Sequence, residues 1–288
     1  MKVLVLGATG LAGQAMIRAA AARGHAVRAA ARKAAPLAVD IADETSLLDL
    51  VAAEAPELIV NCAGLVDIDA CERDPWLGWR TNARPLSYLA GWSNATGGRL
   101  VHISTDHYFP TGGAAPHDED APIAFANDYA RQKFAGEAFA LTAAKALVLR
   151  TSIVGLRRRG PPTFAEWAID LVEHDKPATL FADAYTSSID VWTFAAAAFD
   201  LVERGRSGLL NLAAGEVYSK EAFIREIARQ AGRSLTAAQR GSVRSLKVQR
   251  ANCLGLDVRR AEALLGYPLP RLRDVVAALV RHHREGSA

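Results

Sequence analysis

Val3-Leu4-Val5-Leu6-Gly7-Ala8-Thr9-Gly10-Leu11-Ala12-Gly13 stands near the start of the chain. Its four consecutive apolar residues read as a short strand buried on both faces, over 3–6. Gly7, Gly10 and Gly13 follow at intervals of three. That spacing permits a tight turn, close backbone approach to a pyrophosphate, and close packing of a helix on the strand. The helix that opens at Leu11 offers free N–H groups and the positive end of its dipole to phosphates. A ligand-free strand–helix turn can carry the same letters. The strand–turn–helix setting favours the phosphate loop.

Outward from this loop the chain repeats one rhythm. Further strands are predicted over 26–31, 58–62, 100–104 and 146–150. Between them lie helices over 11–22, 47–53, 76–92 and 128–141. Short apolar strands alternating with amphipathic helices give an α/β fold, a parallel sheet covered on both faces. With right-handed crossovers this is a doubly wound Rossmann-type domain over 1–150. Beyond Arg150 the rhythm changes. A basic Gly/Pro loop over 155–162 leads to helices over 164–172, 220–231, 258–265 and 272–282, with one short strand over 178–181. Residues 151–288 are therefore expected to form a smaller, mainly helical lobe. A helix over 191–202 and a strand over 208–212 return to the main sheet, so the two parts interleave at about 190–213.

The second strand ends Ala29-Ala30-Ala31-Arg32-Lys33, where a site for NAD would place an acid against the ribose. Arg32 and Lys33 suit a 2′-phosphate instead, or are simply solvated cations at a strand end. NADP is the expected cofactor, with NAD as the alternative. Asp40-Ile41 follows a short third strand where the chain would pass the adenine; an acid there is equally an ordinary loop residue.

Composition narrows the class of protein. Half of the 288 residues are hydrophobic and the formal net charge is +3, which gives no ground for a nucleic-acid partner. Cys62, Cys71 and Cys253 have neither metal-ligand spacing nor an even disulfide framework, so no metal and a reducing compartment are expected. No stretch approaches the roughly 18 apolar residues that span a bilayer. The apolar run after Lys2 is too short for a signal peptide. The expectation is a cytoplasmic protein without a membrane partner; a homo-oligomer is left open.

Tyr129 and Lys133 are four residues apart, hence on one helix face. They follow the strand that ends Val101-His102-Ile103-Ser104-Thr105-Asp106, and ligands of open α/β sheets bind at such carboxyl ends. Hydride reduction of a ketone leaves an alkoxide that needs a proton. Tyr129 can donate it, Lys133 can assist the phenol and hold a nicotinamide ribose, and Thr105 can hydrogen-bond the carbonyl oxygen. A surface Tyr/Lys pair that merely supports a helix is the competing reading.

Taken together, Gly7-x-x-Gly10-x-x-Gly13, Asn61-Cys62-Ala63-Gly64, Ser104-Thr105-Asp106 and Tyr129-x-x-x-Lys133 resemble the extended short-chain dehydrogenase/reductases. Asp67-x-Asp69-x-Cys71-Glu72, Trp79-x-x-Asn82, Glu119-Asp120-x-Pro122 and Leu149-Arg150-Thr151 make the sequence most similar to the dTDP-4-dehydrorhamnose reductase family. The resemblance spans nearly the whole chain and is looser after residue 150. It implies Thr105, Tyr129 and Lys133 as the catalytic set. It implies Gly7, Thr9, Gly10 and Leu11 at the pyrophosphate, and Cys62, Ala63, Gly64 and Ser104 along the cofactor. A nucleotide-linked sugar is the implied substrate, with Val66, Asp106, His107, Ile153 and Arg157 as its binding residues.

Departures from the family pattern fall on the substrate side. His107-Tyr108 stands where those reductases commonly read Tyr-Val, Ile153 where they commonly place Trp, and Gln249-Arg250-Ala251-Asn252 replaces a proline-containing loop. His107 reads either as a proton relay or substrate ligand, or as a hydrogen-bonded structural residue. Arg157-Arg158-Arg159 is either a diphosphate clamp or a solvated run. An epimerase of the same superfamily and a non-catalytic NADP-binding regulatory subunit are the competing functions.

Overall fold

The computed structural model of the chain describes every residue except 110–112, 158–159, 244–251 and 287–288. Its first elements in chain order are β1 (Lys2–Leu6), α1 (Leu11–Ala22), β2 (Ala26–Ala31), β3 (Leu37–Ala38), α2 (Glu44–Glu54) and β4 (Leu58–Asn61). Next come α3 (Ile68–Arg73), α4 (Pro75–Asn82), α5 (Arg84–Thr96), β5 (Arg99–Ile103), α6 (Asp128–Ala140) and β6 (Ala146–Arg150). There follow β7 (Ile153–Val154), α7 (Phe164–Glu173), β8 (Ala178–Phe181), β9 (Tyr185–Thr186), β10 (Ile189–Asp190), α8 (Val191–Glu203) and β11 (Gly208–Asn211). The last are β12 (Tyr218–Ser219), α9 (Lys220–Ala231), β13 (Ala238–Gly241), β14 (Cys253–Leu254), α10 (Arg259–Leu265) and α11 (Leu272–Arg284).

Seven strands form the main sheet in the order β11-β6-β5-β4-β1-β2-β3. Neighbours among β1 to β6 pair in parallel. Both faces of the central strands are covered, which is why Val3 to Leu6 can be an unbroken apolar run with none of its side chains exposed. Leu4, Leu6, Ile59, Leu100 and Val148 pack with Leu47 and Val51 of α2 and Leu86 and Leu89 of α5. Strand order reverses between β1 and β4, and such a switch opens a crevice at the carboxyl ends of the strands.

The helix predicted over 76–92 is two helices. Ala83 lies between them, and Pro85 sits in the first turn of α5. Proline has no N–H to donate and its ring clashes with the preceding turn, so it ends α4 yet fits the start of α5. The six-residue α3 lies in a stretch for which no helix was predicted.

The chain forms two compact units. The first comprises Met1–Thr105, Asn127–Arg150 and Ala195–Leu210; the second Asp106–Ala126, Thr151–Phe194 and Asn211–Ala288. Within the first, the Arg23 guanidinium meets Asp200 at 2.7 Å and Arg99 donates to the Val202 carbonyl at 2.7 Å, which fastens the returning part of α8.

The expected boundary at residue 150 is corrected for 106–126, which belong to the second unit. Hydrogen bonds explain it: His117 N–H donates to the Gly255 carbonyl at 2.9 Å, and the Asn211 side chain donates to the His117 carbonyl at 3.0 Å. In the second unit α7, α9 and α11 contribute Val172, Phe223, Ile227, Val276 and Leu279 to one core. Among the described residues, this unit also holds the small sheets β10-β7, β12-β9-β14 and β13-β8. Among the described residues no helix is long and apolar enough to cross a membrane.

Candidate active site

The three loop glycines have different physical reasons. Gly7 has φ of +78°, and a Cβ there would lie 2.6 Å from the Ala63 nitrogen. A Cβ on Gly13 would lie 2.2 Å from the Gly7 carbonyl oxygen. These two are therefore fixed by the close contact of loop, β4 end and α1. Gly10 is different: a Cβ there would meet only the Gly7 oxygen, at 3.3 Å. Its outward side faces space the chain itself does not fill. Gly10 is also the N-cap of α1, with no side-chain cap and no acid in the first turn, so the helix's leading N–H groups remain for an anion.

That space is a groove of about 540 Å³. Gly7, Thr9, Gly10, Arg32, Lys33, Asp40, Ile41, Cys62, Ala63 and Gly64 all line it. Ten positions named from sequence as cofactor contacts are thus brought together. Leu11, Ser104, Tyr129 and Lys133 lie outside that lining. Leu65, Leu77, Arg80 and Thr81 line the groove as well, and sequence reasoning missed them. The last three recur at i, i+3 and i+4 of α4, a helical face that periodicity could have found. No carboxylate among the described residues pairs with Arg32, Lys33 or Arg80.

Asn82, buried at the end of α4, shapes the wall of the groove. It accepts from Leu65 N–H at 2.8 Å and donates to the Leu65 carbonyl at 3.0 Å. Helix α6 approaches α4 closely, because Gly136 has no side chain: a Cβ there would come within 2.4 Å of the Asn82 carbonyl oxygen.

The start of α6 is capped by Asn127, whose side chain accepts from Ala130 N–H at 2.9 Å. Tyr129 and Lys133 follow one turn apart, and both are buried. Lys133 Nζ donates to the Ile103 carbonyl at 2.7 Å and lies 3.2 Å from His102 Nε2. Its nitrogen is thereby tied to the carboxyl end of β5, two residues before Thr105. Burial holds Lys133 down to about 8, while Glu137 and Cys62 pull the other way. Burial also pushes the Cys62 thiol up to about 12, against the Lys133 charge. Ser104 and Thr105 are both buried, and Ser104 N–H donates to the Leu149 carbonyl at 2.7 Å.

The residues named for the substrate fall largely in the second unit. Asp106 is buried, and His107 Nε2 lies 3.9 Å from its carboxylate. Burial raises the Asp106 carboxyl above its ordinary range, with His107 and the Ser152 hydroxyl opposing. Ile153 is half-buried in β7, and Arg157 donates to the Pro161 carbonyl at 2.5 Å. Arg158, Arg159 and Gln249-Arg250-Ala251 lie outside the described residues. Val66 belongs to the first unit, where it is 74% exposed.

This sheet order, the phosphate loop and the Tyr-x-x-x-Lys helix are those of the short-chain dehydrogenase/reductase superfamily, and the present chain is an oxidoreductase of that superfamily. More narrowly, it belongs to the RmlD substrate binding domain family, whose pattern it matches over residues 1–285. It is 29% identical to the "Probable low-salt glycan biosynthesis reductase Agl14" of Haloferax volcanii, over 97% of each chain. It is 32% identical to a dTDP-4-dehydrorhamnose reductase of Streptomyces griseus, over 75% of this chain and 68% of that one. Its fold is similar to that of a dTDP-4-dehydrorhamnose reductase from Bacillus anthracis solved in complex with NADP. The TM-score is 0.87 at 22% identity, over 98% and 99% of the two chains.

Proposed function

We propose that the protein reduces a keto group on a nucleotide-linked sugar with NADPH. The observation that carries this reading is the Lys133 side-chain nitrogen held 2.7 Å from the Ile103 carbonyl at the end of β5, one helical turn from buried Tyr129. The empty side of Gly10 and the cations of the groove fit a dinucleotide phosphate. In this reading Gly7, Thr9, Gly10 and Leu11 hold the pyrophosphate through backbone N–H groups. Arg32 and Lys33 take the 2′-phosphate, Asp40 and Ile41 border the adenine, and Cys62, Ala63, Gly64 and Ser104 border the rest. The bound nicotinamide supplies the hydride.

The protein's own residues handle the oxygen and its proton. The Thr105 hydroxyl donates to the carbonyl oxygen and stabilises the negative charge that develops there. Tyr129 gives its phenolic proton to that oxygen. Lys133 stabilises the tyrosinate left behind and binds ribose hydroxyls. Asp106, His107, Ile153 and Arg157 are our candidates for sugar and diphosphate recognition. The relatives' names point to a dTDP-linked 4-keto sugar as the first substrate to test.

The cofactor assignment has a direct test in the double variant Arg32→Ala/Lys33→Ala. Losing charge-assisted bonds worth about 1.5–3 kcal/mol weakens NADPH by roughly 10- to 150-fold, and NADH, which lacks the 2′-phosphate, is barely affected. Fluorescence titration of both cofactors reads the difference. Equal losses for the two would remove these residues from the 2′-phosphate.

A further inference from the structure

Behind Lys133 lies a polar pair that the reaction just described does not use. His102 in β5 is wholly buried, and its register partner across the β4–β5 ladder is Asn61, also buried. Asn61 Nδ2 lies 3.3 Å from His102 Nδ1, and Lys133 Nζ lies 3.2 Å from His102 Nε2. A neutral imidazole has one donor and one acceptor nitrogen, so the two contacts draw on opposite roles.

Asn61 settles which role falls where. Its Oδ1 accepts from Ala63 N–H at 3.2 Å, so the amide turns its NH₂ toward the ring. An NH₂ group only donates; Nδ1 must then accept, and the ring proton sits on Nε2, facing Lys133 Nζ. A neutral lysine amine fits that tautomer, because it accepts from Nε2–H and still donates to the Ile103 carbonyl. An ammonium has no lone pair to offer. To receive an ammonium the ring must carry its proton on Nδ1, and Asn61 must turn its amide over and release Ala63.

We propose that His102, oriented by Asn61, is the positioning residue for Lys133: it fixes Nζ against β5 and ties loss of the lysine proton to a change of imidazole tautomer. Lys133 matters here because the proposed reaction uses it, but the coupling itself belongs to the unliganded protein. The surroundings agree. Burial, and then the Lys133 charge, pushes His102 well below its ordinary range, which favours the neutral ring. Titratable groups stand on the elements packed against Lys133 and β5. They are Cys62 after β4, with its thiol pushed up to about 12, Tyr129 and Glu137 on α6, and Arg150 of β6, which pairs with Glu137.

The test is ¹⁵N NMR of histidine-labelled protein without cofactor, from about pH 6 to about pH 10. The His102 signals are identified by their loss in His102→Gln, or in His102→Asn if the first variant does not fold. The expected result is a ring neutral throughout, whose proton moves from Nδ1 to Nε2 with a midpoint near the lysine value of about 8. In His102→Gln a carbonyl oxygen can accept from the ammonium without a tautomer change. The ¹³C-detected titration of Lys133 then moves upward by about one unit, and the alkaline limb of the reductase pH profile moves with it. A single tautomer across the whole range, or an imidazolium signal from His102, overturns the proposal. A tautomer change in a protein that reduces no keto sugar upholds the coupling and removes only the enzymatic assignment.

Discussion

Tyr129→Phe is expected to lower kcat by about 10²- to 10⁴-fold, the usual contribution of a positioned general acid, while NADPH binds as before. The substitution deletes one oxygen from a buried ring on α6 and leaves the glycine loop and the groove cations untouched. Without the phenol the developing alkoxide must find its proton elsewhere. In the proposed mechanism Thr105 still polarises the carbonyl and Lys133 still holds the ribose, so some activity is expected to survive. Single-turnover rates after premixing with NADPH separate the chemical step from binding. Turnover within about threefold of wild type would show that Tyr129 is not the acid, since that is under 1 kcal/mol.

Arg150→Met is the change expected to cost the fold most. Arg150 at the end of β6 grips Glu137 of α6 as a fork, with N···O distances of 3.1, 3.2 and 2.9 Å, and both side chains are only 2% exposed. Removing the guanidinium strands a buried carboxylate, which costs about 3–5 kcal/mol. Replacing both partners, as in Glu137→Leu/Arg150→Met, removes the stranded charge as well and costs much less. Denaturant unfolding of the two variants gives the comparison. An Arg150→Met loss under about 1 kcal/mol would mean that water reaches the pair. The pair also bears on the site, because Glu137 lies one turn beyond Lys133 and favours its charged form.

The sheet was legible because its central strands are buried on both faces and announce themselves as apolar runs, with glycines at fixed offsets. Ten positions expected along a cofactor line one groove, because the loop and the strand ends leave little freedom in where a chain of this topology can open a crevice. The rest was hidden for physical reasons. Pro85 breaks what looks like one periodic helix. The small sheets of the second unit contain strands of two residues, too short to carry a period. Residues 106–126 join the second unit through backbone bonds at His117, which no composition change marks. His102 sits inside an apolar strand and shows its meaning only when its two ring nitrogens are given partners.

Reduction of a keto-sugar nucleotide by NADPH, the proposed activity, can be read in a single assay. Purified protein, NADPH and a dTDP-linked 4-keto sugar are mixed, and the nicotinamide absorbance is followed. Steady loss of that absorbance is expected, one NADPH per sugar reduced, with NADH slower by about tenfold or more, as the loss of a charge-assisted phosphate contact implies. NADPH bound tightly in the groove yet unconsumed, across dTDP- and UDP-linked keto sugars, would contradict it and leave a dinucleotide-binding protein that is not a reductase of such sugars.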